Sequence, residues 1–235
     1  MMIEEFLDYL RYERNRSPLT VKNYGDDLRA FYVFFKSLDD HLSWQSVDAD
    51  IVRDWMESMM DKGNNATSVN RRLSALRSFY RFALSRHLVD RDPAHNIEGP
   101  KTNKPLPQFL KESEMNRLLD DMEWGNSFNN VRARTIIIVF YETGIRLSEL
   151  IGLDDVSIDM ETCEIKVTGK GDKQRVVPFG SEMLCALKDY VAVRDSSVIR
   201  NCEAFFVTDK GTRMRPDTVR AEVSRCLSAV STLKK

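Results

Sequence analysis

Histidine ends at His95: His41, His87 and His95 are the only three in the 235-residue chain, so the second half has none to offer as a ligand or base. Cysteine is nearly as sparse. The four residues Cys163, Cys185, Cys202 and Cys226 all lie in the second half, and none forms C-x-x-C with another. Zinc and redox-pair chemistry therefore have little support, and the thiols are expected to be reduced and partly buried. No apolar run approaches the length of a membrane span. The opening "MMIEEFLDYL" carries acids where a secretory signal would carry basic residues, which leads to the expectation of a soluble, cytoplasmic protein without a membrane partner. The phosphate-binding pattern G-x-x-x-x-G-K-[ST] is missing. A net charge of −1 removes any global basic excess that would point to nucleic acid.

What is present is globular: 42% hydrophobic and 30% charged residues. Ser17 followed by Pro18 marks a helix start, and Val21, Tyr24, Leu28, Phe31 and Phe35 then recur at three- and four-residue spacing. Further helices are expected over roughly 50–62, closed by Gly63, and over about 68–86. The stretch "VDRDPAHNIEGPKTNKPLPQFL" gathers four of the seven prolines with little periodicity, the signature of a linker. The expected division is a helical domain over 1–100, a linker over 101–107 and a second domain over 108–235. In the second domain "LKESEMNRLLDDM", "VRARTIIIVFYETG", "LSELIGL", "SEMLCALKDYVAVRD" and "RPDTVRAEVSRCLSAV" read as helices. "CEIKVT" and "QRVVPF" read as a β-hairpin with a loop of about five residues, and "AFFVT" as a strand. The fold class is mainly α with a small antiparallel β-sheet.

One helix stands out by charge. From Ser68 to Val89 there are five arginines, Arg71, Arg72, Arg77, Arg81 and Arg86, and no acid. Val69, Leu73, Leu76, Tyr80 and Ala83 form its apolar stripe. About 100° round the helix lie Asn70, Ser74, Arg77 and Arg81, groups suited to base edges and phosphates. A solvated helix face ordinarily mixes signs to gain i,i+4 pairs, and this one does not.

In the second domain "YETGIRLSEL" places Arg146 directly after a Thr-Gly break, with Glu149 three residues on. Arginine is rarely buried without a partner, so Arg146 is either a paired structural charge or a guanidinium held for an anion. The hairpin tip "TGKGDKQR" carries Lys170, Lys173 and Arg175 between and beside glycines. By itself such a tip is an ordinary turn.

Taken together, "YETGIRLSELIGLDDVSID" and "IKVTGKGDKQRVVPFG" resemble the catalytic domain of the tyrosine recombinases, the phage integrase family. "SPLTVKNYGDDLRAFYVFF" and "ATSVNRRLSALRSFYRFAL" are similar to that family's helical core-binding, SAM-like domain, and the domain content resembles the simpler Xer-like members. The resemblance implies that Arg146 binds the scissile phosphate, that Glu149 orients Arg146 or a neighbour, and that Lys170 protonates the departing 5′ oxygen. It implies duplex contacts from Thr20, Lys22, Asn70, Arg71, Arg72, Ser74, Arg77, Arg81, Lys173 and Arg175. It implies no metal and no cofactor, and as partners a double-stranded recombination site and further copies or a paralogue in a tetramer.

The resemblance also calls for a "HxLRH"-type segment and a nucleophilic tyrosine after the last helix, whereas the sequence given stops at "STLKK". The tyrosines beyond the linker, Tyr141 and Tyr190, do not sit in that context. The expectation is site-specific recombination in the complete enzyme, with this chain unable to catalyse alone, whether as a fragment or a truncated member. The alternative is a DNA-binding or regulatory module derived from a recombinase, without catalysis.

Overall fold

The computed structural model describes residues 2–102, 109–169 and 171–230. The chain divides into two compact units, Met1–Leu106 and Pro107–Lys235. Residues 103–107 of the expected linker lie outside the described residues, as does Lys170.

The first unit is helical. Helix α1 (Met2–Asp8) runs on into a π-helical turn, Tyr9–Glu13, and is followed by α2 (Pro18–Leu38), α3 (Ala49–Asp61) and α4 (Ala66–Ser85). Each later start has a side-chain cap that satisfies otherwise orphaned amides. The Ser17 hydroxyl accepts from the Thr20 N–H at 3.3 Å. Asp48 accepts from Asp50 and Ile51, and Asn65 accepts from Ser68 at 2.8 Å. Gly63, at φ 79°, donates its N–H to the Met60 carbonyl at the end of α3.

The core of this unit is aromatic. Trp44 packs against Phe31, Phe35, Phe79 and Tyr80, with its ring 4.4 Å from that of Phe79. The expected α4 stripe of Val69, Leu73, Leu76, Tyr80 and Ala83 is wholly buried.

In the second unit, α5 (Glu112–Asn116) continues through a π-helical turn, Arg117–Asp121. Then come α6 (Phe128–Thr143), α7 (Leu147–Ile151), the strands β1 (Ile158–Asp159), β2 (Glu164–Thr168) and β3 (Gln174–Pro178), and finally α8 (Ser181–Ser197) and α9 (Pro216–Val230). The strands form one antiparallel sheet in the order β1-β2-β3. Ile136 to Val139 are all buried, because α6 runs through the middle of the unit against α8 and α9. The β2–β3 connection is five residues, 169–173, closed by the Gly169 N–H donating to the Lys173 carbonyl at 2.8 Å.

Two expectations need correction. "AFFVT" is no strand: only Ala204 and Val207 make isolated bridges, to Asp154 and Arg213. Consecutive Phe205 and Phe206 are both buried, which a strand with alternating faces cannot arrange against a single core. The thiols are not uniformly sheltered either: all four are free, and Cys185 is exposed.

Candidate functional site

Gly144 ends α6 in the left-handed conformation at φ 58°, and its N–H donates to the Phe140 carbonyl at 3.0 Å. The turn brings Arg146 to the N-cap of α7 in an extended conformation. One turn later, Glu149 points back. Its Oε2 accepts the backbone N–H of Arg146 at 2.7 Å, and its Oε1 accepts the Arg146 Nη1 at 3.1 Å. From β3, Arg175 donates to the same carboxylate through both ends of its fork, at 2.8 and 2.9 Å.

Burial differs sharply across this cluster. The Glu149 side chain is 1% exposed, whereas that of Arg146 is 70% exposed. The Arg175 fork, opposed by burial and supported by the Arg146 N–H, lowers the Glu149 carboxyl to about 2. Two guanidiniums therefore share one carboxylate that is ionised at neutral pH, and Arg146 is the more exposed of the two. Such a fork matches a phosphate geometrically, and its orientation is prepaid by the carboxylate behind it.

Lys170, expected beside this cluster, lies outside the described residues. Lys173 is exposed at the same loop. Arg175, expected on DNA, has its guanidinium on Glu149. Tyr141 is 53% exposed on α6. Tyr190 is sealed in the core, where its hydroxyl donates to the Phe205 carbonyl at 3.2 Å and accepts the Val207 N–H at 3.1 Å. Burial pushes that phenol up to about 12.

In the first unit the polar face of α4 is only partly a free ridge. Arg71 grips Asp27 of α2 through both nitrogens, one of them at 2.9 Å, and Arg72 has its Nε 3.7 Å from the same acid. Asp27 is 5% exposed, so its charge needs these partners. Asn70 donates to the Pro100 carbonyl at 2.8 Å. Arg77 donates its Nε to the Ala94 carbonyl at 3.1 Å and an Nη to that of Ile97. Ser74 donates to the Asn70 carbonyl and remains exposed. Arg81 is exposed with no partner among the described residues. On α2, Thr20 bonds Ser17 within the cap, and Lys22 pairs with Asp26 at 2.6 Å.

Asp27 escaped the sequence reading although it had a signal: a helix with four arginines and no acid must draw its counter-charge from elsewhere. A second clamp, Arg132 of α6 on Glu222 of α9 with its Nη1 on the Val207 carbonyl, had none.

An exposed arginine is thus braced from behind by a buried carboxylate, beside a two-stranded hairpin. Residues 3–87 match the phage integrase N-terminal SAM-like domain, and residues 108–233 match the phage integrase family. The chain is 33% identical over 227 residues to tyrosine recombinase XerC of Natranaerobius thermophilus, covering 94% of this chain and 75% of the relative. It is 37% identical over 219 residues to XerC of Shigella flexneri serotype 5b, covering 93% and 72%. It shares its fold with XerH site-specific recombinase bound to a palindromic difH substrate, at TM-score 0.72 and 19% identity over 99% of this chain and 69% of the other. A lambda integrase dimer bound to a COC' core site gives TM-score 0.72 at 15% identity over 100% and 79%.

The chain belongs to the phage integrase family of tyrosine recombinases and is Xer-like. Its function is site-specific recombination.

Proposed function

We propose that the chain binds duplex DNA at a recombination site and presents Arg146 to the phosphate at which the strand is exchanged. The carrying observation is that Arg146 is 70% exposed while Glu149, almost fully buried, holds it by both backbone and side chain. A guanidinium that is 70% exposed, with only one of its nitrogens on Glu149, keeps donors free for an anion from solution. Developing charge on the phosphate oxygens is stabilised by a donor that needs no reorganisation when the reaction begins. Lys170, between Gly169 and Gly171 in the loop joining β2 to β3, is the proposed acid for the departing 5′ oxygen. A lysine ammonium can donate a proton to a departing oxygen, and this lysine occupies the loop position that the family resemblance gives that role.

In the first unit Arg81 and Ser74 on α4, with Thr20 and Lys22 at the start of α2, are the proposed duplex contacts. The other expected contacts on α4, Asn70, Arg71, Arg72 and Arg77, act from positions braced by the protein itself. Several copies on paired sites, in the cytoplasm, complete the reading. The relatives' complexes with DNA and the lambda integrase tetramer bound to a Holliday junction support it by kinship.

Titration of fluorescent duplexes, first selected from a random pool, tests the proposal over a range of salt. The logarithm of affinity should fall linearly with the logarithm of salt, with a slope of about −0.9 for each phosphate neutralised. Arg146→Ala should leave the unfolding midpoint and most of the affinity intact, and ethylation of the one phosphate it contacts should no longer interfere with binding. No binding to any duplex at low salt would end the reading. Loss of folding in Arg146→Ala would return Arg146 to a structural role.

A further inference from the structure

The residue that holds Glu149 most strongly is not Arg146 but Arg175, a residue of the hairpin. Arg175 lies opposite Val167 in the β2–β3 ladder, one pair from the end, and the last pair is Thr168 with Gln174. Its fork spans both oxygens of Glu149, and Glu149 in turn accepts the backbone N–H of Arg146, the N-cap of α7. One buried carboxylate thus joins the base of loop 169–173 to the N-cap that presents Arg146.

Gly169 supplies an independent mark of the same junction. A Cβ placed there would sit 3.0 Å from the Glu149 Oε1 and 3.6 Å from an Arg175 Nη. The Gly169 backbone therefore lies close against the ion pair, and a Cβ there would need the carboxylate to give by a few tenths of an ångström. The Gly169 N–H is also the donor that closes the loop onto Lys173.

We propose that Arg175 is a positioning residue: its two-point bond to Glu149 latches the β2–β3 hairpin to the start of α7 and fixes the base of the lysine-bearing loop beside Arg146. The assignment rests on the reading that Arg146 and Lys170 serve one phosphate. It replaces direct DNA contact as the role of Arg175. A lysine at this position keeps a charge but cannot bridge both oxygens. The fork keeps the Glu149 carboxyl well below its ordinary range, so both partners of the latch are charged at neutral pH.

Amide hydrogen exchange on the intact chain tests the latch without requiring DNA cleavage. Arg175→Lys should accelerate exchange at the Gly169 amide by about tenfold or more, the cost of one weakened charge-assisted bond. Amides of the β2 core, at Ile165 and Val167, should keep their wild-type rates. Arg175→Ala should do the same more strongly, and Arg175→Lys serves if the alanine variant fails to fold. The salt slope of duplex binding should be unchanged in Arg175→Lys.

Unprotected Gly169 in the wild type would overturn the proposal, since no latch would then exist. So would equal acceleration of loop and strand amides, which would mark Arg175 as a residue of general stability. An unchanged loop in Arg175→Ala, with a salt slope smaller by about one, would make Arg175 a phosphate contact instead. If the wild-type chain binds no duplex, the proposed function fails while the exchange rates still decide the latch.

Discussion

Asn70 of α4 donates its side-chain amide to the carbonyl of Pro100, thirty residues further along the chain, at 2.8 Å. Gly99, the residue between, has no side chain for a reason: a Cβ there would overlap the Asn70 Oδ1. With Arg77 on the Ala94 and Ile97 carbonyls, the helix face expected to meet DNA also fastens the segment that leaves the first unit.

Gly99→Ala should therefore destabilise the first unit by about 1 kcal/mol, the net worth of the bond Asn70 must abandon. Urea unfolding followed by Trp44 and Trp55 fluorescence measures it. In an Asn70→Ala background the same substitution should cost much less, because contacting residues are not additive. Equal costs in both backgrounds would mean that the crowding lies elsewhere.

Acid should weaken the second unit through Glu149. Its carboxyl titrates at about 2 in the folded chain against an ordinary value of 4.5, so the unfolded state binds more protons between those limits. Stability from this group is complete above about pH 5 and is lost as pH falls toward 2, amounting to about 1–3 kcal/mol. Glu149→Gln should flatten that portion of the curve of unfolding midpoint against pH. A variant curve parallel to wild type would assign the acid sensitivity to other carboxylates.

Arg81 and Arg77, four residues apart on α4, should separate cleanly. Arg81→Ala removes an exposed charge, so the salt slope of duplex binding should drop by about one with the unfolding midpoint unchanged. Arg77→Ala strands two carbonyls and should lower stability by about 1–2 kcal/mol whether or not DNA is present. Identical behaviour of the two variants would contradict the division of α4 into a free part and a braced part.

Local chemistry was what the sequence made legible. Ser17 and Pro18 announce the start of α2, and the β-branched runs either side of "GKGDK" announce the hairpin, because each signal and its consequence lie within a few residues. Arg146 and Glu149 could be paired on paper since one helical turn separates them. What stayed hidden depends on distant chain. Nothing near Arg71 names Asp27, 44 residues away, and nothing in "NRRLSALR" tells which donors will be spent on the carbonyls of residues 94–100. Arg175 was legible as a cation at a hairpin tip, but its partner on α7 was settled only by folding. "AFFVT" misled because β-branched and aromatic residues suit a strand, and two adjacent buried rings overrode that preference.

That same segment carries a consequence for how the molecule keeps to itself. The Tyr190 hydroxyl takes the place of a neighbouring strand, accepting from the Val207 N–H and donating to the Phe205 carbonyl. Arg194 reinforces Phe205, Arg132 occupies the carbonyl of Val207, and the Phe205 N–H goes to Leu153. Every backbone donor and acceptor of these two residues is already engaged, mostly by side chains that cannot extend a ladder. In a stretch rich in aromatics and valine, ordinarily an invitation to edge-to-edge aggregation, Phe205 and Val207 have no vacant backbone bond to offer another chain.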